Sequence, residues 1–170
     1  MANDCNYEMK IKGSKNAIKR VIACLEQDYN YNEGKPSGKH FFRVFDAQPD
    51  EEEFWDDNGD GTFTAFIWGY VAWSIHSAMV GTGPYSYYNE CKKKHPDIFM
   101  GTTLLEQSQD CEIEVFSEEW GMCFSEHYYY AFGECLDDSS VDIDVDDSKD
   151  EWIVHNPNRY APDEGFRFEL

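Results

Sequence analysis

Cys5, Tyr7, Met9 and Ile11 fall on one side of an extended chain, and Asn6, Glu8, Lys10 and Lys12 on the other. This period of two marks a strand with one face buried. Gly13 ends the run and Ser14 is a suitable helix N-cap. Ala17, Ile18, Val21, Ile22 and Leu25 then recur at the helical period, which predicts a helix over about residues 14–28. Residues 29–39 are polar, contain Pro36 and predict a loop. His40–Phe45 reads as a second strand, Ala47–Asp60 as an acidic, turn-rich insert, and Thr62–Trp73 as a long aromatic strand that runs into a short helix at Ser74–Met79. Gly81 to Pro84 breaks the chain, and Asn89–His95 suits one or two helical turns stopped by Pro96. Thr103 and Glu106 form a capping box for a short helix ending near Gln109. Glu112–Ser117, Met122–Phe132 and Val141–Val145 read as strands, followed by a tail with Trp152, Pro157 and Pro162.

That order predicts an α+β fold, a ferredoxin-like split βαβ with an extended antiparallel sheet. Antiparallel pairing follows from later connections too short for crossovers. A single domain spans 1–170, with a ferredoxin-like core over about 4–132 and an acidic strand and tail over 133–170. The expected core is Tyr7, Met9, Ile11, Ile18, Val21, Ile22, Leu25, Val71, Leu104, Ile113 and Val115.

Charge changes this picture most. The chain has 170 residues, with 34 Asp and Glu against 14 Lys and Arg, a net charge of −20. Residues 1–45 hold eight basic and five acidic residues, a net of +3, whereas residues 46–170 hold six and 29, a net of −23. Such a chain repels nucleic-acid phosphates, so direct nucleic-acid binding is disfavoured. Aromatic residues make up 16%, too many for a disordered chain. No apolar run approaches the roughly 20 residues of a membrane span, and the first residues lack a signal-peptide pattern. A cytoplasmic monomer without membrane contact is expected. Its six cysteines are then reduced thiols or metal ligands rather than disulfides.

Candidate chemistry is sparse. Cys91 and His95, at i and i+4, could chelate one ion if their segment is helical. This gives a possible structural zinc site, with His76 and Cys123 as the completing ligands. Cys123 and His127 share the spacing, but on a strand they stand roughly 13 Å apart, too far for one zinc. Asp56, Asn58, Asp60 and Gly61 match the start of a calcium loop, yet position 12 is Ile67 rather than Glu. Asp142, Asp144 and Asp146 share one strand face, and Glu112 and Glu114 repeat that spacing, with Asp137 and Asp138 adjacent. Such rows can imitate a phosphate backbone, or simply keep a sheet soluble. No nucleophile elbow, phosphate loop, zinc-protease or dinucleotide motif is present. Glu126 and His127, as strand neighbours, point to opposite faces and would not act together. No catalytic residue is assigned, and a hydrolase is the weaker alternative.

Met1–Asn6, Trp68–Ser74 and above all Phe116–Tyr128 resemble the YubB-type ferredoxin-like proteins of plasmids, phages and other mobile elements. The resemblance covers most of residues 3–130, with Trp120 where such proteins are expected to carry Pro. It implies the fold and a mobile-element origin and supplies no catalytic residues. In kind, a small and very acidic protein of this origin is similar to phage anti-restriction and anti-CRISPR inhibitors. The expectation is therefore an anti-CRISPR protein that binds a basic surface of a Cas nuclease and blocks DNA loading in the infected host cell. The alternative is a zinc-binding interaction module of unknown partner.

Overall fold

The structure, a computed structural model, describes residues 4–26, 38–81, 86–146 and 151–154, with the backbone alone for 144–146 and 151–154. β1 (Asp4–Gly13) buries its odd-numbered side chains, as its alternation predicts. Ser14 Oγ accepts the Ala17 N–H at 3.2 Å and starts α1 (Lys15–Glu26). This helix buries Ala17, Ile18, Val21, Cys24 and Leu25. β2 (Val44–Pro49), a 3-10 turn at Glu52–Phe54, β3 (Asp56–Asp57) and β4 (Phe63–Ala72) follow. A π-helical turn at His76–Val80, α2 (Tyr87–Lys94) and α3 (Leu104–Gln107) lead to β5 (Cys111–Glu119). The chain continues through β6 (Phe124–Ala131), β7 (Glu134–Asp146) and β8 (Glu151–Val154).

The strands form one sheet in the order β2-β4-β1-β5-β6-β7-β8, with β3 on β4. Every pairing between these strands is antiparallel. The antiparallel expectation holds, but the ferredoxin-like split βαβ does not: the molecule is sheet-rich, with short helices. That fold needs a second long helix laid along the sheet between β4 and β5. Here the segment breaks into a five-residue π turn, an eight-residue helix and a four-residue turn. α2 is too polar to cover a sheet and buries only Tyr88 and Cys91, which pack on Phe42. β6, β7 and β8 carry the sheet onward instead.

The second strand is also displaced from its predicted position at His40–Phe45. Arg43 adopts a positive φ of 53°, and β2 begins only at Val44, with a bulge between Val44 and Asp46. His40 makes an isolated parallel bridge to Gly101, while Phe41 and Phe42 are buried outside any strand. Residues 29–37 of the predicted loop at 29–39, residues 82–84 of the predicted break at 81–84 and the tail beyond 154 lie outside the described residues.

The predicted core residues are buried, with Ile22 partly so. All six cysteines are free. Burial pushes the Cys5 and Cys111 thiols up to about 12 and that of Cys24 to about 11. These three serve as small, protonated core residues. Among the described residues, no helix is long and apolar enough to cross a membrane.

Candidate functional site

β7 carries most of the acidic residues singled out from the sequence. Its register pairs Asp142 with Phe124, Asp138 with Tyr128 and Asp137 with Tyr129. Opposed residues share a face. Asp138 and Asp142 therefore lie on the face of Glu126 and Tyr128. Asp137 lies on the other face, with Glu112 and Glu114, which pair with Ala131 and Tyr129. The two acidic rows expected to work together are thus divided between opposite faces. Asp138 and Asp142 are exposed, and Asp137 and Glu112 are half-buried. Glu112 accepts the Tyr129 hydroxyl at 2.6 Å. The side chains of Asp144 and Asp146 lie outside the described residues.

Glu114 departs most from its expected role. It is fully buried, so its carboxylate is not presented to a partner, and its Oε1 faces His127 Nε2 at 2.7 Å. His127 Nδ1 points toward Asp137 Oδ2 at 3.7 Å, and the Phe116 ring stacks on the imidazole at 4.4 Å and 20°. Both ring nitrogens face carboxylates and the ring is covered. This arrangement orients the imidazole and ties β5, β6 and β7 together on one face.

Glu126 occupies the opposite face, as strand alternation predicts for neighbours. Its carboxylate accepts the Ile75 N–H at 2.8 Å, the Ser117 hydroxyl at 3.0 Å, the Tyr128 hydroxyl at 3.3 Å and the His76 N–H at 3.4 Å. It thereby fixes the start of the π turn to the sheet. Desolvation nevertheless raises its pKa above the usual carboxylate value, with these hydrogen bonds opposing the rise. A raised native pKa means that the folded state holds the proton more tightly. The stability this group contributes is complete below the unfolded value and is lost as pH rises through the native one. We therefore expect the stability of wild type relative to Glu126→Gln to grow as pH is lowered from neutral toward the ordinary carboxylate range. Urea unfolding at a series of pH values measures this, and a pH-independent difference would reject it.

Glu119 is a third buried carboxylate, accepting the N–H groups of Gly121 and Met122 and closing the β5–β6 turn. Sequence reasoning missed all three as interior groups. One signal was available for Glu126: it shares its strand face with Tyr128 and Tyr130, whose rings belong in a core.

The four residues proposed for zinc are spread over three places in the fold. Cys91 is buried on α2 and His95 caps that helix. His76 opens the π turn, where its Nδ1 lies 3.3 Å from the Tyr128 hydroxyl. Cys123 lies in the β5–β6 turn, its thiol donating to the Trp120 carbonyl at 3.4 Å. The calcium-like loop is a hairpin turn in which Asp57, Asn58 and Asp60 bond within the turn or to the strand that follows it. Asp57 accepts the Gly59 N–H and Asp60 accepts the Thr62 N–H, both at 2.9 Å. Gly59 and Gly61 take positive φ values of 78° and 87°. Among the described residues, no group of three or more His, Cys, Asp and Glu side chains is arranged so that it could hold a metal ion.

No family model, no curated protein and no solved structure matches this chain.

Proposed function

We propose that the protein acts by binding: it is a mobile-element inhibitor that presents fixed carboxylates to the cationic nucleic-acid channel of a host defence complex, a Cas nuclease in the first instance, and keeps DNA from loading. The observation that carries this reading is the pair Asp138 and Asp142, exposed on one face of β7 and held there by pairing with β6, in a chain of net charge −20. Carboxylates fixed on a strand lose less entropy on binding than those of a floppy acidic tail. A focused negative face is steered toward strongly positive guide and target channels. The YubB-type resemblance favours a mobile-element setting.

Reversing both charges, Asp138→Lys with Asp142→Lys, is expected to weaken binding to a purified Cas effector about tenfold or more, with affinity falling as salt rises. Glu90→Lys with Asp97→Lys changes the net charge equally at exposed positions on and beside α2, and should weaken binding less than about threefold. Equal weakening by both pairs would show that only overall charge matters. Failure of the wild type to bind or inhibit any nuclease complex at low salt would end the inhibitor reading.

A further inference from the structure

The sheet face opposite α1 carries an aromatic pair that the inhibitor reading does not use. On β4, Trp68 is 45% exposed and Tyr70 is 36% exposed, with ring centroids 6.2 Å apart at 79°. The register surrounds them with polar and acidic groups. Trp68 lies between Glu8 of β1 and Gln48 of β2, and Tyr70 between Asn6 and Asp46. Glu8 is exposed, and Asp46 accepts the Gln48 side-chain amide at 2.9 Å. Beside the pair, a groove of about 120 Å³ is lined by Asn6, Glu8, Phe116 and Glu118. Lys10, paired with Phe66, bounds the patch at one end.

We propose that this patch is a docking site for an arginine side chain of a basic partner protein. The inference rests on the reading that the protein binds a basic surface, and it deepens it by naming an anchor. Two exposed rings flanked by carboxylates match a planar cation. A guanidinium stacks on an indole or phenol face while its fork of N–H groups pairs with a carboxylate, which a compact ammonium does less well. Aromatic anchors of this kind dominate interface energetics where plain surface charge contributes little. The molecule already uses the same contact within itself: the Arg43 guanidinium lies 4.0 Å over the Trp73 ring and 5.4 Å from that of Tyr87.

The probe is an Arg-Gly repeat peptide, with a Lys-Gly peptide of equal length as comparison. On the wild-type protein, NMR should show the Trp68 indole N–H shifting on titration while that of Trp73 stays in place. Trp68→Ala and Tyr70→Ala should each weaken binding about threefold to fivefold, and Trp68→Phe should retain most of it. Glu8→Gln should weaken binding while leaving the fold intact. The proposal falls if the Trp68 signal does not move, if both alanine variants bind within twofold of wild type, or if the lysine peptide binds as tightly. A response of Trp68 to a neutral oligosaccharide without one to arginine would overturn it as well. The two readings fail separately. Loss of nuclease binding by the β7 reversals with no peptide response removes only the arginine site. A peptide response without nuclease binding removes only the inhibitor.

Discussion

Glu114→Ala is expected to lower the unfolding free energy by about 3–5 kcal/mol. The carboxylate is fully buried and bonds the His127 imidazole at 2.7 Å, so its removal strands a buried ring nitrogen and leaves a void. A domain of this size has a total stability of only about 5–15 kcal/mol, so the variant should lose a large share of it and unfold at a clearly lower urea concentration. Glu114→Gln keeps the shape and one acceptor and should lose less. Replacing both partners, Glu114→Leu with His127→Leu, should recover much of the loss, because apolar side chains of similar volume avoid the desolvation of the pair. Urea titration of the four proteins measures this. A loss below about 1 kcal/mol for Glu114→Ala would show that the pair carries little of the fold.

The same residue shows where sequence reasoning stops. Along the chain, Glu112 and Glu114 read as the outward side of a strand whose inward side is Ile113 and Val115. The inward half is right, since both apolar residues are buried. The outward half assumes water on the second face. At Glu114 that face is occupied by Phe116, two residues along the same strand, and by His127 and Asp137, which only the cross-strand register brings there. Local signals served well where a single element decides the outcome. The β1 alternation, the Ser14 cap of α1 and the Thr103 cap of α3 all stand where the chain announces them. β7 was legible only at Val141–Val145, because Glu134 to Ser140 lacks an apolar alternation and is held as a strand by pairing with β6. The ferredoxin-like expectation failed elsewhere. The strand and helix rhythm of the first 26 residues is clear, whereas the segment between β4 and β5 breaks into a π turn and two short helices and supplies no second long helix to cover the sheet. Glu112, Glu114, Asp142, Asp144 and Asp146 stand on strands as read, whereas the sequence assigns Asp137 and Asp138 to none, and whether these residues share a surface is a matter of register, which divides Asp138 and Asp142 from Glu112 and Glu114.

Register also sets the second large effect, at Gly69. This glycine is buried on β4 opposite Ala47, beside the bulge that lets β2 join the sheet edge. A Cβ there would stand 2.1 Å from the Asp46 carbonyl oxygen and 2.8 Å from the Tyr7 hydroxyl, which itself donates to that carbonyl at 3.2 Å. The nearest obstacle is backbone, so no rotamer change relieves it. Gly69→Ala should force β2 away from β4 and cost about 3 kcal/mol or more, at or above the upper end of ordinary overpacking. Tyr7→Phe should not rescue it, because the carbonyl remains, and alone should lose only about 1 kcal/mol, the worth of one hydrogen bond. Gly59→Ala provides the contrast: nothing lies within 4 Å of its Cβ, and only its φ of +78° opposes the change, a penalty of about 1–2 kcal/mol. Hydrogen exchange locates the damage. In Gly69→Ala the amides of β2 should lose protection ahead of those of β1 and β5, and Asp46 and Gln48 should lose their fixed positions beside Tyr70 and Trp68. The arginine peptide would then bind more weakly to a variant whose two rings are unchanged. A Gly69→Ala protein with wild-type stability and protected β2 amides would mean that the bulge can open to admit a methyl group, and that this edge of the sheet is held by something other than the close approach at Asp46.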